Sequence, residues 1–86
     1  MTNLDDATIR QAAMESVGGL IGRPLKKGET LISSGLIDSL SVLRLIGDLE
    51  KRLAVKMHTA ALQPDDFDDI DLIVTTVQRA ARPAGN

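Results

Sequence analysis

From Ser39 onward the apolar residues Val42, Ile46, Leu49 and Leu53 recur every three or four positions, which places them on one side of an α-helix. Leu43 and Leu45 widen the stripe, while Ser41, Arg44, Asp48, Lys51 and Arg52 fall on the opposite side. A helix patterned in this way draws most of its stability from packing, so the rest of the chain has to supply surfaces for it. The material for those surfaces is aliphatic. Phe67 is the only aromatic among 86 residues and cysteine is absent, so Leu, Ile, Val, Ala and Met must fill the interior. Such a composition suits packed helices, and the length suits one small domain with a single core. Without cysteine, neither disulfides nor thiolate metal sites can brace it. Gly47 interrupts the stripe at a cost of about 1 kcal/mol against Ala. A close neighbour or neutral drift would each account for it.

The flanking segments read as further helices. Thr2 or Asn3 can cap the first, with Asp5 three residues after Thr2 and Asp5-Asp6 suited to its positive end. Ile9, Ala13, Val17 and Leu20 form its inward face, and Gly18-Gly19 is the expected end, with Leu20-Ile21 packing as the chain leaves. Gly22, Pro24 and Gly28 punctuate a long connection, in which Lys26 and Lys27 are expected to be solvated, with a partner role as the alternative. A loop of this length needs anchors, supplied by Leu31, Ile32, Leu36 and Ile37. After Leu53 the alternation Ala54-Val55-Lys56-Met57 reads as extended chain, and Pro64 opens a short helix anchored by Phe67. Asp69 can cap a last helix that faces inward with Ile70, Ile73, Val74 and Val77 and carries Arg79 and Arg82 near its negative end. Residues 83–86 are expected to form a loose tail. No internal repeat or low-complexity segment is present.

Charge and composition exclude several functions. The net charge is −2, with five acids against one base over residues 54–71 and two acids against three bases over 39–53. No basic footprint for nucleic acid results. Asp65, Asp66, Asp68, Asp69 and Asp71 belong at the starts of the two late helices as capping acids, with steering toward basic partners as their functional alternative. Ser39 has no obvious base to activate it as a nucleophile: the only histidine is His58, in an extended segment, and no Gly-x-Ser-x-Gly turn exists. Intrinsic catalysis is therefore not expected. No apolar run approaches the ~18 residues of a membrane span, and the N-terminus lacks signal-peptide character, so a cytoplasmic protein is expected.

One short motif points to a function. In Gly35-Leu36-Ile37-Asp38-Ser39-Leu40, Ser39 is a good N-cap and Asp38 suits a positive helix end, which is a sufficient structural reason for the pair. The motif also resembles the attachment site of acyl and peptidyl carrier proteins, in which Asp or His precedes Ser and Leu or a similar residue follows. The apolar residues before it and the run Leu40–Leu53 after it extend the resemblance over roughly residues 4–81.

The resemblance implies an all-α fold, a small four-helix bundle of acyl-carrier type with three main helices and a short one before the last. It implies one carrier domain over 1–86, ordered over about 4–81 and monomeric. Ser39 would carry covalent 4′-phosphopantetheine, transferred from coenzyme A by a magnesium-dependent phosphopantetheinyl transferase that recognises Asp38. An adenylating ligase or acyltransferase would load acyl or aminoacyl cargo as a thioester for downstream biosynthetic enzymes. Leu40, Ser41, Leu43, Arg44, Asp48 and Lys51 would form the partner-binding face. Fatty-acid carriers have an acid-rich second helix, whereas Ser41, Arg44 and Lys51 dilute that signature here. Arg44 is more similar to peptidyl carriers, and the stretch 35–39 to free-standing D-alanyl carriers, so aminoacyl or specialised acyl cargo is favoured. The competing class is a small helical interaction module in which Asp38-Ser39 is only a cap.

Overall fold

Three aspartates begin the three α-helices. In the computed structural model, which describes residues 4–83, α1 spans Asp6–Ile21, α2 Ser39–Leu53 and α3 Ile70–Ala80. Asp5, Asp38 and Asp69 precede them, and their carboxylates accept hydrogen bonds from the Thr8, Ser41 and Leu72 N–H groups at 2.8, 2.9 and 2.8 Å. Each satisfies a first-turn amide and places negative charge at the positive end of a helix dipole. Thr2 and Asn3, the caps expected for α1, lie outside the described residues, and the cap observed is Asp5.

The end of α1 also differs from expectation. The helix continues through Gly18 and Gly19 to Ile21 and stops at Gly22, whose φ of 80° is the left-handed value that favours glycine and whose N–H donates to the Gly18 carbonyl at 2.9 Å. Leu20 and Ile21 pack half-buried against the core from this last turn. Their burial outweighs the weak helix propensity of the two preceding glycines.

α2 ends at Ala54, in the left-handed region at φ 54°. The chain then runs as strand β1, Val55–Met57, extended as the alternation predicts. Its partner was not foreseen: β2, Ala81–Pro83, pairs with it antiparallel in the register Val55 to Pro83, Lys56 to Arg82 and Met57 to Ala81. Arg82 therefore lies in a strand and not in the last turn of α3, and Pro83 belongs to that strand and not to a tail; residues 84–86 lie outside the described residues. The protein is mostly helical but carries a small two-stranded sheet, a correction to a purely all-α fold. A 3-10 turn, Pro64–Phe67, precedes α3 as expected.

The core lies where α1 packs against both α2 and α3. Ile9, Ala13 and Val17 belong to one buried cluster with Val42, Leu45, Leu49, Ile73 and Val77, and Phe67 is part of it with no exposed surface. Leu45 is 1% exposed and does widen the stripe, whereas Leu43 is 62% exposed and does not. The long connection is pinned by Leu25, Leu31 and Ile37; Leu36 is exposed, so it is no anchor, and Leu25 was missed because no periodicity marks it. Lys26 and Lys27 are exposed. An Arg23–Glu29 ion pair closes this loop, and the Arg23 guanidinium together with the Lys26 N–H lowers the Glu29 carboxyl to about 2.

Gly47 has no close neighbour: a Cβ built there meets nothing within 4 Å. Gly47→Ala should therefore raise stability by roughly 0.5–1 kcal/mol, the helix-propensity difference alone. Urea unfolding checks this, and a destabilised variant would mean that a side chain closes on that position.

Candidate functional site

Ser39 is the first residue of α2 and is exposed. The cap is not Ser39 but Asp38, whose side chain occupies the Ser41 N–H. This one-residue difference decides the state of the hydroxyl: Ser39 Oγ makes no hydrogen bond among the described residues. The Ser41 N–H first, and the Ser41 hydroxyl next, hold the Asp38 carboxyl below its ordinary pKa, so it is anionic at neutral pH.

The neighbouring serines are placed differently. Ser33 Oγ donates to Asp68, Ser34 Oγ donates to the Thr30 carbonyl at 2.6 Å, and Ser41 is half-buried behind Asp38. The loop that delivers Ser39 is held at its base by the buried Ile37, whose N–H donates to the Leu31 carbonyl at 3.0 Å.

Asp68 fastens the same loop from 35 residues away. Its carboxylate accepts from the Ile32 N–H at 2.7 Å and the Ser33 N–H at 2.8 Å as well as from the Ser33 hydroxyl, and its carbonyl accepts from the Leu31 N–H. The Ser33 hydroxyl and then the Ser33 and Ile32 amides lower the Asp68 pKa from 3.8. A carboxylate whose pKa is depressed by folding stabilises fully above its unfolded value and loses that contribution as pH falls through the folded one. Asp68→Ala should thus melt below the parent at neutral pH, with the gap closing as pH drops beneath the ordinary carboxylate pKa. Parallel thermal melts against pH check this, and a gap constant down to strongly acid pH would contradict it.

The expected docking residues do not form one uniform face. Leu40 and Leu43 are 73% and 62% exposed beside Ser39, and Arg44 and Lys51 are exposed further along α2. Ser41 and Asp48 are half-buried, and Asp48 is drawn toward Arg52, 2.6 Å away. A feature not foreseen is an apolar cavity of about 260 Å3 lined by Ser39, Val42, Ile46, Leu62 and Phe67 among others. It joins α2 to residues 59–67, beyond strand β1, so no local pattern announces it.

The late acids have mixed tasks. Asp69 caps α3, Asp66 accepts from the Gln63 N–H at 2.8 Å, and Asp68 holds the loop. Asp71 pairs with Arg10 of α1 at 2.7 Å, whereas Asp65 is simply exposed. His58 is exposed and distant in sequence from Ser39. Among the described residues no group of three or more potential metal ligands forms, and no helix is long and apolar enough to cross a membrane. No protein-family model, curated protein or solved structure matches the chain.

Proposed function

We propose that this chain is a carrier protein that receives 4′-phosphopantetheine on Ser39 and presents acyl or aminoacyl groups as thioesters to biosynthetic enzymes. The observation that carries it is an exposed hydroxyl at the first position of α2, unbonded among the described residues and directly after an anionic Asp38. The two strands would be an addition to an acyl-carrier-type bundle, with the 3-10 turn as its short third helix.

In the transfer step, Ser39 Oγ would bond to the phosphorus that bears pantetheine. The diphosphate link of coenzyme A breaks, adenosine 3′,5′-bisphosphate leaves, and the hydroxyl proton passes to a base of the transferase. The bound arm would supply a terminal thiol for thioester formation. This chain's own part is to hold Ser39 clear of other partners and to keep Asp38 charged beside it. Leu40, Leu43, Arg44 and Lys51 are the exposed groups available for docking a transferase, a loading ligase or acyltransferase, and downstream enzymes, with Ser41 and Asp48 at the edge of that face. The working protein would be a cytoplasmic monomer.

Incubation with coenzyme A, magnesium and a broad-specificity phosphopantetheinyl transferase tests the proposal by intact mass. A small helical interaction module is the competing function, supported by the cap bond that Asp38 makes. It is distinguished by a folded chain that accepts no arm.

A further inference from the structure

Three features of α1 and α2 that packing does not explain meet in one open groove of about 440 Å3. The first is a pair of glycines, Gly19 on α1 and Gly47 on α2. Neither has positive φ, and a Cβ at either would meet nothing within 4 Å, so each weakens its helix without serving a turn or a close approach. The second is Ser16, only 4% exposed, whose Oγ has no partner at hydrogen-bond geometry. The Ser16 hydroxyl, and after it Arg52, hold the Asp48 carboxyl below its ordinary range, the hydroxyl from an approach that falls short of full hydrogen-bond geometry. A buried hydroxyl left in this state is costly, and alanine would avoid the cost.

The third feature is charge. Arg44, Lys51 and Arg52 line the groove with Asp48, and counting Glu15, which also pairs with Arg52, leaves a surplus of one positive charge in a chain whose net charge is −2. Arg52 is fixed by Asp48 at 2.6 Å and Glu15 at 3.1 Å. Arg44 and Lys51 are exposed and in no ion pair among the described residues.

We propose that the α1/α2 groove binds a phosphate-bearing small molecule, with Arg44 and Lys51 on the phosphate, Ser16 as a donor at its base and the organic part over Leu20, Leu45 and the bare glycine backbone. A guanidinium and an ammonium match the charge of a phosphate monoester or diphosphate, and Asp48 is offset by Arg52. The groove lies on the α1 side of α2, apart from the cavity beside Ser39 on the side of residues 59–67. It does not depend on carrier activity.

The test therefore uses the Ser39→Ala chain, which cannot be modified there. Amide spectra would be followed by NMR during titration with inorganic phosphate, pyrophosphate and adenosine 3′,5′-bisphosphate. Saturable shifts at the Gly19 and Gly47 amides are expected, with affinity for the tightest probe falling about tenfold in Arg44→Gln and again in Lys51→Gln. Ser16→Ala should weaken it too, and Gly47→Leu, which fills the groove, should remove binding of the nucleotide while the fold persists. Equal affinity for pyrophosphate and nucleotide would assign recognition to phosphate alone, and tighter nucleotide binding would assign the groove floor to the organic part; both uphold the site. Non-saturating shifts, or saturable ones indifferent to these substitutions in folded variants, would mean an adventitious ion only and overturn it.

Discussion

Replacing Phe67 with alanine is expected to cost about 3–5 kcal/mol, the range for deleting a buried aromatic. In a domain whose whole stability is of order 5–15 kcal/mol, that leaves much of the population unfolded or close to it. Phe67 is the largest of the fully buried side chains and the only aromatic, so no neighbouring ring can swing into the space it vacates. It also links the 3-10 turn to α2 and α3, and its loss would loosen the wall of the cavity beside Ser39. Leu49→Ala, on the core stripe of α2 and with no exposed surface, should cost about 2–5 kcal/mol by the same mechanism. Leu43→Ala is the internal control, since a side chain 62% exposed has little burial to lose. Denaturant midpoints measure all three. A Phe67→Ala chain as stable as the parent would mean that the turn is not part of the core.

α2 was legible because its buried residues Val42, Leu45, Ile46, Leu49 and Leu53 follow one helical period despite Gly47, and Pro64, Phe67 and Asp69 were legible because each residue type suits one local geometry. The end of α1 was not. Glycines at 18, 19 and 22 compete for it, and only the packing of Leu20 and Ile21, a tertiary effect, carries the helix to the last of them. The sheet was half legible: Val55–Met57 alternates, but Ala81-Arg82-Pro83 has no strand pattern and is drafted by a partner distant in sequence. At Asp38-Ser39 two adjacent good caps were available, and which of them turned inward could not be read from residue types. Asp68 looked like a third acid in a capping cluster. It lies one residue before the true cap, and there it fastens the loop instead. Ser16 and the facing glycines carry no pattern at all, because their relation exists only between packed helices.

Only Ser39 should accept the phosphopantetheine arm. Ser33 and Ser34 spend their hydroxyls on Asp68 and the Thr30 carbonyl, and Ser41 is half-buried behind Asp38, while Ser39 Oγ is exposed and unbonded among the described residues. Ser39→Ala should abolish modification while Ser33→Ala, Ser34→Ala and Ser41→Ala retain it. None of these exposed or half-buried positions supplies core packing, so the folded state persists in the comparison. The most direct measurement is the intact mass of the wild-type chain after reaction with coenzyme A, magnesium and several active, unrelated transferases, followed by peptide mapping. The carrier function predicts one arm per chain on the peptide containing Ser39. A folded wild-type chain that accepts nothing would contradict that function, and an arm on another serine would contradict the site.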